Sequence, residues 1–382
     1  MASGFVLRCG RAAPGPRERR RLAVRAVYNA GRFRACPTMT ADIPTDPRLS
    51  ALETWLAGLL GSAPERVAPA SADASFRRYF RVWHEGSTAI AMDAPPGRED
   101  LGPYVEVARI LAAAGVHVPR VLAEDRAQGF LLLTDLGSRQ YLDALRDGED
   151  PRGLYADAID ALVRMQSCAD LKGLPDYDAA SLHREMALFP EWFVGRHLGI
   201  EVTVQLRRLF EASFAVLAQA ALAQPVVLVH RDYHSRNLMV CAGNNPGVLD
   251  FQDAVRGPVT YDLVSLLKDC YITWPRQRVM AWLDLYRERA ASAGIDVGGD
   301  RGAFIGAFDR MGLQRHIKVL GIFARLWYRD GKPGYLHDLP RVLDYTLEAV
   351  AGVDELSPFE QFLRERVLPA FADAQSRALA AA

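Results

Sequence analysis

The sequence predicts an α+β chain in two lobes, a small antiparallel sheet first and a larger, mostly helical lobe after it. Three observations carry this. Short strand-like runs at 76–83, 88–92, 116–122 and 130–133 lie close together and are separated by turn formers. From Tyr141 onward the apolar spacing is mostly helical, broken at Pro175 and Pro190. A polar loop flanked by short apolar runs then interrupts the helices, LVHRDYHSRNLMVCAGNNPGVLDFQD over 228–253.

Half of the 382 residues are hydrophobic, enough for a substantial core, and the length fits two domains or one two-lobed unit. The 46 basic and 46 acidic residues cancel, which argues against a nucleic-acid or anionic-membrane binder. No apolar run reaches the length of a membrane span. Five scattered cysteines (Cys9, Cys36, Cys168, Cys241 and Cys270) include no C-x-x-C pair, so neither a disulfide scaffold nor a zinc site is expected, and a reducing cytoplasm fits.

Residues 1–38 hold nine arginines and one acid, Glu18, with no periodicity. They read as a disordered basic arm, a targeting peptide, or an extension upstream of a true start at Met39; the last is preferred because a helical pattern begins soon afterwards. That pattern, Leu49, Leu52, Trp55, Leu56 and Leu59, is one apolar face of a helix. Small residues follow over 67–75. The alternating run 76–83, the turn His84-Glu85-Gly86-Ser87 and the run 88–92 then form a hairpin. Its loop of small residues could lie over a nucleotide triphosphate. A helix over 103–114 ends at Gly115, and strands at 116–122 and 130–133 complete an N-terminal lobe over 46–135. Asp135-Leu136-Gly137 closes the last strand and leads into the second lobe, 136–382.

The interrupting loop carries the chemistry. Strand, polar loop, strand, turn, strand, acid is an order that brings Asp232, Asn237 and Asp250 to one edge of a small hairpin. Phosphoryl transfer needs such a set: a carboxylate to orient and deprotonate a hydroxyl, and hard oxygen ligands to hold Mg²⁺ on a triphosphate. H-R-D-x-x-x-x-N followed by D-F is the catalytic-loop pattern of kinases. Asp262, near the start of the helix after this segment, is expected to cap it and accept hydrogen bonds from the loop, a structural role. Farther on, Leu313, Ile317, Leu320, Ala324 and Trp327 form an apolar seam flanked by Gln314, Arg315, Lys318 and Arg325. Such flanking charges ordinarily sit in water. Yet Gln314–Lys318 gathers more donors than a plain surface needs, as a sugar pocket would.

On these residues the chain resembles the superfamily of small-molecule kinases that includes aminoglycoside phosphotransferases and choline kinase. The resemblance runs from about Leu49 to the C-terminus and is strongest at 230–237 and 249–253. Within it, the stretches 75–79, 92–96, 228–238, 249–267, 314–326 and 335–341 look most like bacterial anomeric kinases of N-acetylmuramate and N-acetylglucosamine used in cell-wall recycling. The resemblance implies a bilobal protein kinase-like fold, ATP and Mg²⁺ as cofactors, and a small sugar as substrate. It implies Asp232 as catalytic base, Asn237 and Asp250 as metal ligands, and His230 as a brace; His234 faces substrate or phosphate. The linker at Asp135 would pass behind the adenine. Glu185, Trp192, Arg315, His316 and Lys318 are the candidates for sugar contacts.

One departure stands out. Many relatives carry a Lys or Arg on the strand after the hairpin turn and a partner Glu on the next helix; here those places read Met92 and Tyr104, with Glu106 only a sequence neighbour. Arg77, Arg78 or Arg81 could supply the phosphate cation instead, since Arg grips phosphate bidentately. Another hydroxyl acceptor of aminoglycoside, choline or homoserine type, or a non-catalytic nucleotide-binding scaffold, are the alternatives kept open.

Overall fold

A computed structural model describes residues 46–72, 76–168 and 171–382. The 1–38 extension and residues 73–75 of the small-residue loop lie outside the described residues. The chain divides into a unit up to Ser50 and one compact unit, Ala51–Ala382, which contains everything discussed below except the first turn of helix α1. Helix α1, Pro47–Leu60, crosses that boundary. The Asp46 carboxylate accepts from the Arg48 and Leu49 backbone N–H groups, and Pro47 at the first helical position loses no bond. Leu52 and Leu56, one turn apart, are fully buried.

Among the described residues the sheet has five strands in the order β1-β2-β3-β5-β4, all antiparallel: β1 Arg66–Ala72, β2 Arg78–His84, β3 Ser87–Asp93, β4 Val121–Asp125 and β5 Phe130–Thr134. The expected hairpin is β2–β3, closed by Glu85 and Gly86, both at positive φ, the backbone that a two-residue turn requires. The small residues from 67 on form more than a loop. Through Ala72 they make the edge strand β1, with an irregularity at Pro69–Ser71, and an edge tolerates proline because one side of the strand needs no partner. The run at 116–122 was likewise expected to be a strand, but pairing starts only at Val121; His117 makes a single bridge to Gly247. Helix α2, Leu101–Ala113, is capped by the Asp100 carboxylate on the Gly102 N–H at 2.8 Å and packs its apolar face inward.

Past the linker the chain is helical: α3 Tyr141–Arg146, α4 Pro151–Gln166, α5 Ala179–Met186, a π-helical segment Phe189–His197, and α6 Val204–Leu222. Pro190 stands in the first turn of the π-helical segment, just past the end of α5 at Met186, where its missing N–H costs no bond. Two ribbons, β6 Val226–Val229 with β9 Val255–Pro258 and β7 Leu238–Met239 with β8 Gly247–Val248, frame the polar loop. Helices α7 Tyr261–Leu267, α8 Arg276–Ser292, α9 Arg301–Tyr328, α10 Leu339–Val350, α11 Ser357–Phe362 and α12 Leu368–Ala380 complete the lobe.

The 28-residue α9 is the axis of this lobe. At Gly321 a Cβ would stand 2.4 Å from the Leu188 carbonyl carbon, so only glycine lets the segment before the π-helical run cross this closely. The charges expected at the surface of α9 are not there. Gln314, Arg315, His316 and Lys318 are all buried, because α9 passes through the core and each of them answers a polar group from a neighbouring element.

Candidate active site

Strand β6 delivers His230 into the interior, fully buried. Asp262, at the start of α7, accepts the backbone N–H groups of His230 at 2.6 Å and Arg231 at 3.0 Å, so the acid bolts the loop rather than capping its own helix. Burial pushes its carboxyl up to about 6, against the pull of His230 and the two N–H donors. His230 spans the loop: Nε2 meets the Leu249 carbonyl at 2.9 Å, and Nδ1 accepts the Asp232 N–H at 3.2 Å. Arg231 sits at φ 77, a conformation a long side chain rarely adopts, and is held there by the Asp262 bond and by its ion pair with Glu185. A second acid that sequence reasoning did not single out, Asp269, holds the far side of the loop through the Ser235 N–H and hydroxyl.

The three central residues converge. Asn237 donates through Nδ2 to the Asp232 carbonyl at 3.0 Å and lies 3.4 Å from Asp250 Oδ2. Asp250 takes φ 62, which Asp tolerates better than most residues, and its Oδ1 accepts from Gln252 at 2.8 Å. Asp232, His234, Asn237 and Asp250 all line one cavity of about 490 Å³. Asp232 opens into it with 43% of its side chain exposed. Partial burial alone would push the Asp232 carboxyl up. The charges of Arg315, whose Nη2 is 3.7 Å away, and then of Lys318, His234 and Arg231 outweigh burial and hold it at about 2. It is therefore ionised at any ordinary pH.

Behind this carboxylate lies a charged cluster. Glu185 accepts from Arg231 at 2.5 Å, from Lys318 at 3.1 Å and from the Tyr177 hydroxyl. Lys318 also donates to the Tyr261 hydroxyl at 3.0 Å, and Arg315 reaches the Arg231 carbonyl at 2.8 Å and the same hydroxyl at 3.2 Å. Arg315 and Lys318 reach the cavity wall, whereas Glu185 stands one layer back. His316 and Trp192 do not line the cavity. His316 points the other way, stacked on Tyr345 with Nε2 at 3.1 Å from the Lys268 carbonyl, and burial lowers its imidazole to about 3. Trp192 packs against the core from the π-helical segment.

The arginines of β2 separate. Tyr79 and Arg81 point into the cavity; Arg78, on the opposite face by the period of the strand, bonds its cross-strand partner Asp93 at 2.9 Å. Arg77 lies 4.0 Å from Glu99 and also stays off the cavity wall. Arg81 binds Asp135 at 2.7 and 3.1 Å and the Gly137 carbonyl at 2.7 Å, which ties the sheet to the linker. Met92 is buried in the core, Glu106 is engaged by Arg109 at 2.7 Å, and Tyr104 takes the cavity-facing place on α2, its ring 4.8 Å from Phe251. The part of the cavity wall formed by Arg236, Tyr271, Phe323 and Tyr335 went unanticipated. Tyr335 lies in a stretch noted for resemblance, but an aromatic at helical spacing does not announce a pocket.

A carboxylate held ionised beside an amide and a second carboxylate, in a cleft between a sheet and a helical lobe, defines a phosphotransferase. The chain belongs to the phosphotransferase enzyme family, whose sequence model matches residues 66–302. It is 48% identical over 330 residues to an N-acetylmuramate/N-acetylglucosamine kinase of Pseudomonas putida, covering 84% of this chain and 97% of that protein. A protein of the same name from Neisseria meningitidis serogroup B is 43% identical over 320 residues, covering 83% and 95%. Among solved structures, the choline kinase of Streptococcus pneumoniae (TM-score 0.56, 11% identity, 78% of this chain and 99% of that one) shares the fold. So does an ADP-bound aminoglycoside phosphotransferase, with TM-score 0.53 and 15% identity over 78% of this chain and 98% of that one.

Proposed function

We propose that this chain transfers the γ-phosphoryl group of ATP to the anomeric hydroxyl of an N-acetylated amino sugar, N-acetylmuramate or N-acetylglucosamine, in the cytoplasm. The observation that carries it is the convergence of Asp232, Asn237 and Asp250 on one wall of the cavity, in a chain 48% identical to a kinase named for those two sugars. Leu133 to Gly137 and Ile90 bound the end of the cavity that would take the nucleotide base, and the α9 side would take the sugar.

Asp232 accepts the hydrogen bond of the attacking hydroxyl and fixes its direction. As the sugar oxygen bonds to the γ-phosphorus and the bond to the ADP oxygen breaks, the hydroxyl proton passes to Asp232. A carboxyl held near 2 is a weak base in the ground state, so orientation is its larger contribution, and proton transfer comes late. Asn237 and Asp250 suit Mg²⁺ by type: each side chain carries a hard oxygen, the two residues adjoin through Asn237 Nδ2 and Asp250 Oδ2, and Mg²⁺ needs only one or two such protein ligands beside the phosphates. When bound, Mg²⁺ would neutralise charge on the triphosphate. Arg315 and Lys318 place positive charge at the acceptor end, which suits a neutral or anionic sugar better than a cationic choline or aminoglycoside.

Incubation with ATP, Mg²⁺ and a panel of hydroxyl acceptors tests the reading. The expected product is a sugar 1-phosphate, and Asp232→Asn should lower kcat by about 10²–10⁴-fold with thermal melting retained. Phosphorylation of choline or an aminoglycoside in preference to both sugars would overturn the acceptor, and an active Asp232→Asn the mechanism.

A further inference from the structure

Among the described residues, four Arg or Lys side chains line the cavity, and three are already matched with acids. Arg81 faces Asp135 at 2.7 Å, Arg315 faces Asp232 at 3.7 Å, and Lys318 faces Glu185 at 3.1 Å. Arg236 forms no ion pair with any described carboxylate. Asp338, which feels its charge, is bonded by Arg341 at 2.6 Å.

Aromatic faces hold Arg236 in place of an acid. Its guanidinium carbon is 4.7 Å from the Tyr271 ring centroid and 5.9 Å from that of Tyr335, and Tyr335 packs in turn on Phe323 at 5.1 Å. Contact with the ring faces fixes the guanidinium, and of its five N–H donors those not bonded to the Tyr271 and Tyr335 side chains are left to bind a carboxylate. Arg236 follows Asp232 by four residues in the same loop, and its aromatic neighbours come from the helical lobe, away from the linker. The cation thus belongs to the acceptor end and lacks, among the described residues, the counter-ion that an incoming anion would supply.

Resting on the sugar-kinase reading, we propose that Arg236 binds the carboxylate of the 3-O-lactyl ether of N-acetylmuramate and sets the preference for that sugar over N-acetylglucosamine. The two sugars differ at this group alone: one carries an acid on O3, the other a bare hydroxyl. With the anomeric hydroxyl at Asp232, O3 lies two ring carbons away, where a second recognition element is needed. The Tyr335–Phe323 wall offers the sugar an apolar surface between the two.

The test measures kcat and KM for both sugars and for ATP in wild type, Arg236→Gln and Arg236→Lys, with thermal melting as the check on folding. In Arg236→Gln the ratio of kcat/KM for N-acetylmuramate to that for N-acetylglucosamine should fall about 10–100-fold, chiefly through KM, as loss of a charged hydrogen-bonded pair predicts. Arg236→Lys, which keeps the charge without the fork, should fall between. An unchanged ratio overturns the inference. So does an equal loss for both sugars with a raised KM for ATP, which would assign Arg236 to the triphosphate. Wild-type protein that phosphorylates N-acetylglucosamine but not N-acetylmuramate would remove the inference and leave the kinase standing; one that phosphorylates neither would remove the sugar-kinase reading itself.

Discussion

Glu185 is the group on which the charged cluster beneath Asp232 closes, and Glu185→Gln probes it with almost no change in shape. The substitution removes one negative charge facing Arg231 at 2.5 Å and Lys318 at 3.1 Å, and leaves two cations behind a carboxylate with which neither is directly bonded. Breaking a buried pair from one side costs about 3–5 kcal/mol, because the remaining charge keeps its desolvation penalty. Arg231 retains 27% exposure and Lys318 keeps the Tyr261 hydroxyl, so about 3 kcal/mol is the reasonable expectation here. The assay is urea unfolding at pH 7 for wild type, Glu185→Gln, Lys318→Met and the double variant. If the ion pair is the reason both residues are buried, the double variant should be more stable than the sum of the single losses allows, by about 1 kcal/mol or more. Additive losses, or a Glu185→Gln penalty under about 1 kcal/mol, would refute the reasoning and return Glu185 to the role of a sugar contact that water and substrate can reach.

Two further outcomes follow from other parts of the molecule. His316 has an imidazole pKa of about 3 when folded, below its ordinary 6.5, so the unfolded chain takes up the proton first. Nothing is lost above about pH 6.5, and stability falls as pH drops toward 3, by about 2 kcal/mol between pH 7 and 5. His316→Gln, which can still donate to the Lys268 carbonyl, should flatten the slope of unfolding free energy over that interval; an unaltered slope would mean that the imidazole is solvated. Gly321→Ala forces a methyl group into the Leu188 backbone and should cost about 1–3 kcal/mol in the same urea assay, with a wild-type melt ruling out the close crossing.

The sheet hairpin, the polar loop and the convergence of Asp232, Asn237 and Asp250 were legible because each leaves a local mark: period-two alternation, turn residues, and acids at fixed spacing after strands. Strand β1 was hidden because alanine and proline carry little strand preference, and only pairing with β2 makes them extended. The three arginines of 77–81 looked equivalent until strand alternation put Arg78 and Arg81 on opposite faces. On α9, the residues 314–318 were bound to mislead. A helix that is polar on part of its face reads as solvated, and only the arrival of Tyr177, Tyr261, Lys268 and Glu185 from distant parts of the chain turns those donors inward. Arg236 has no sequence mark at all, since the tyrosines that hold it lie 35 and 99 residues further along.

Why a protein would bury Arg315, Lys318 and Glu185 together follows from the role proposed for Asp232. A carboxylate on the wall of a cavity proposed to take a tetra-anionic nucleotide would meet strong negative potential, which on its own would draw a proton onto it. Cations fixed behind it oppose that pull, but two unpaired cations so deep would be expensive, and Glu185 offsets part of their charge. Arg315 is also bonded to the Arg231 carbonyl, so the charge that keeps Asp232 ionised is tied to the backbone that positions it. Loop geometry and carboxylate state therefore depend on the same side chains, and a variant such as Glu185→Gln should alter kcat along with stability rather than either one alone.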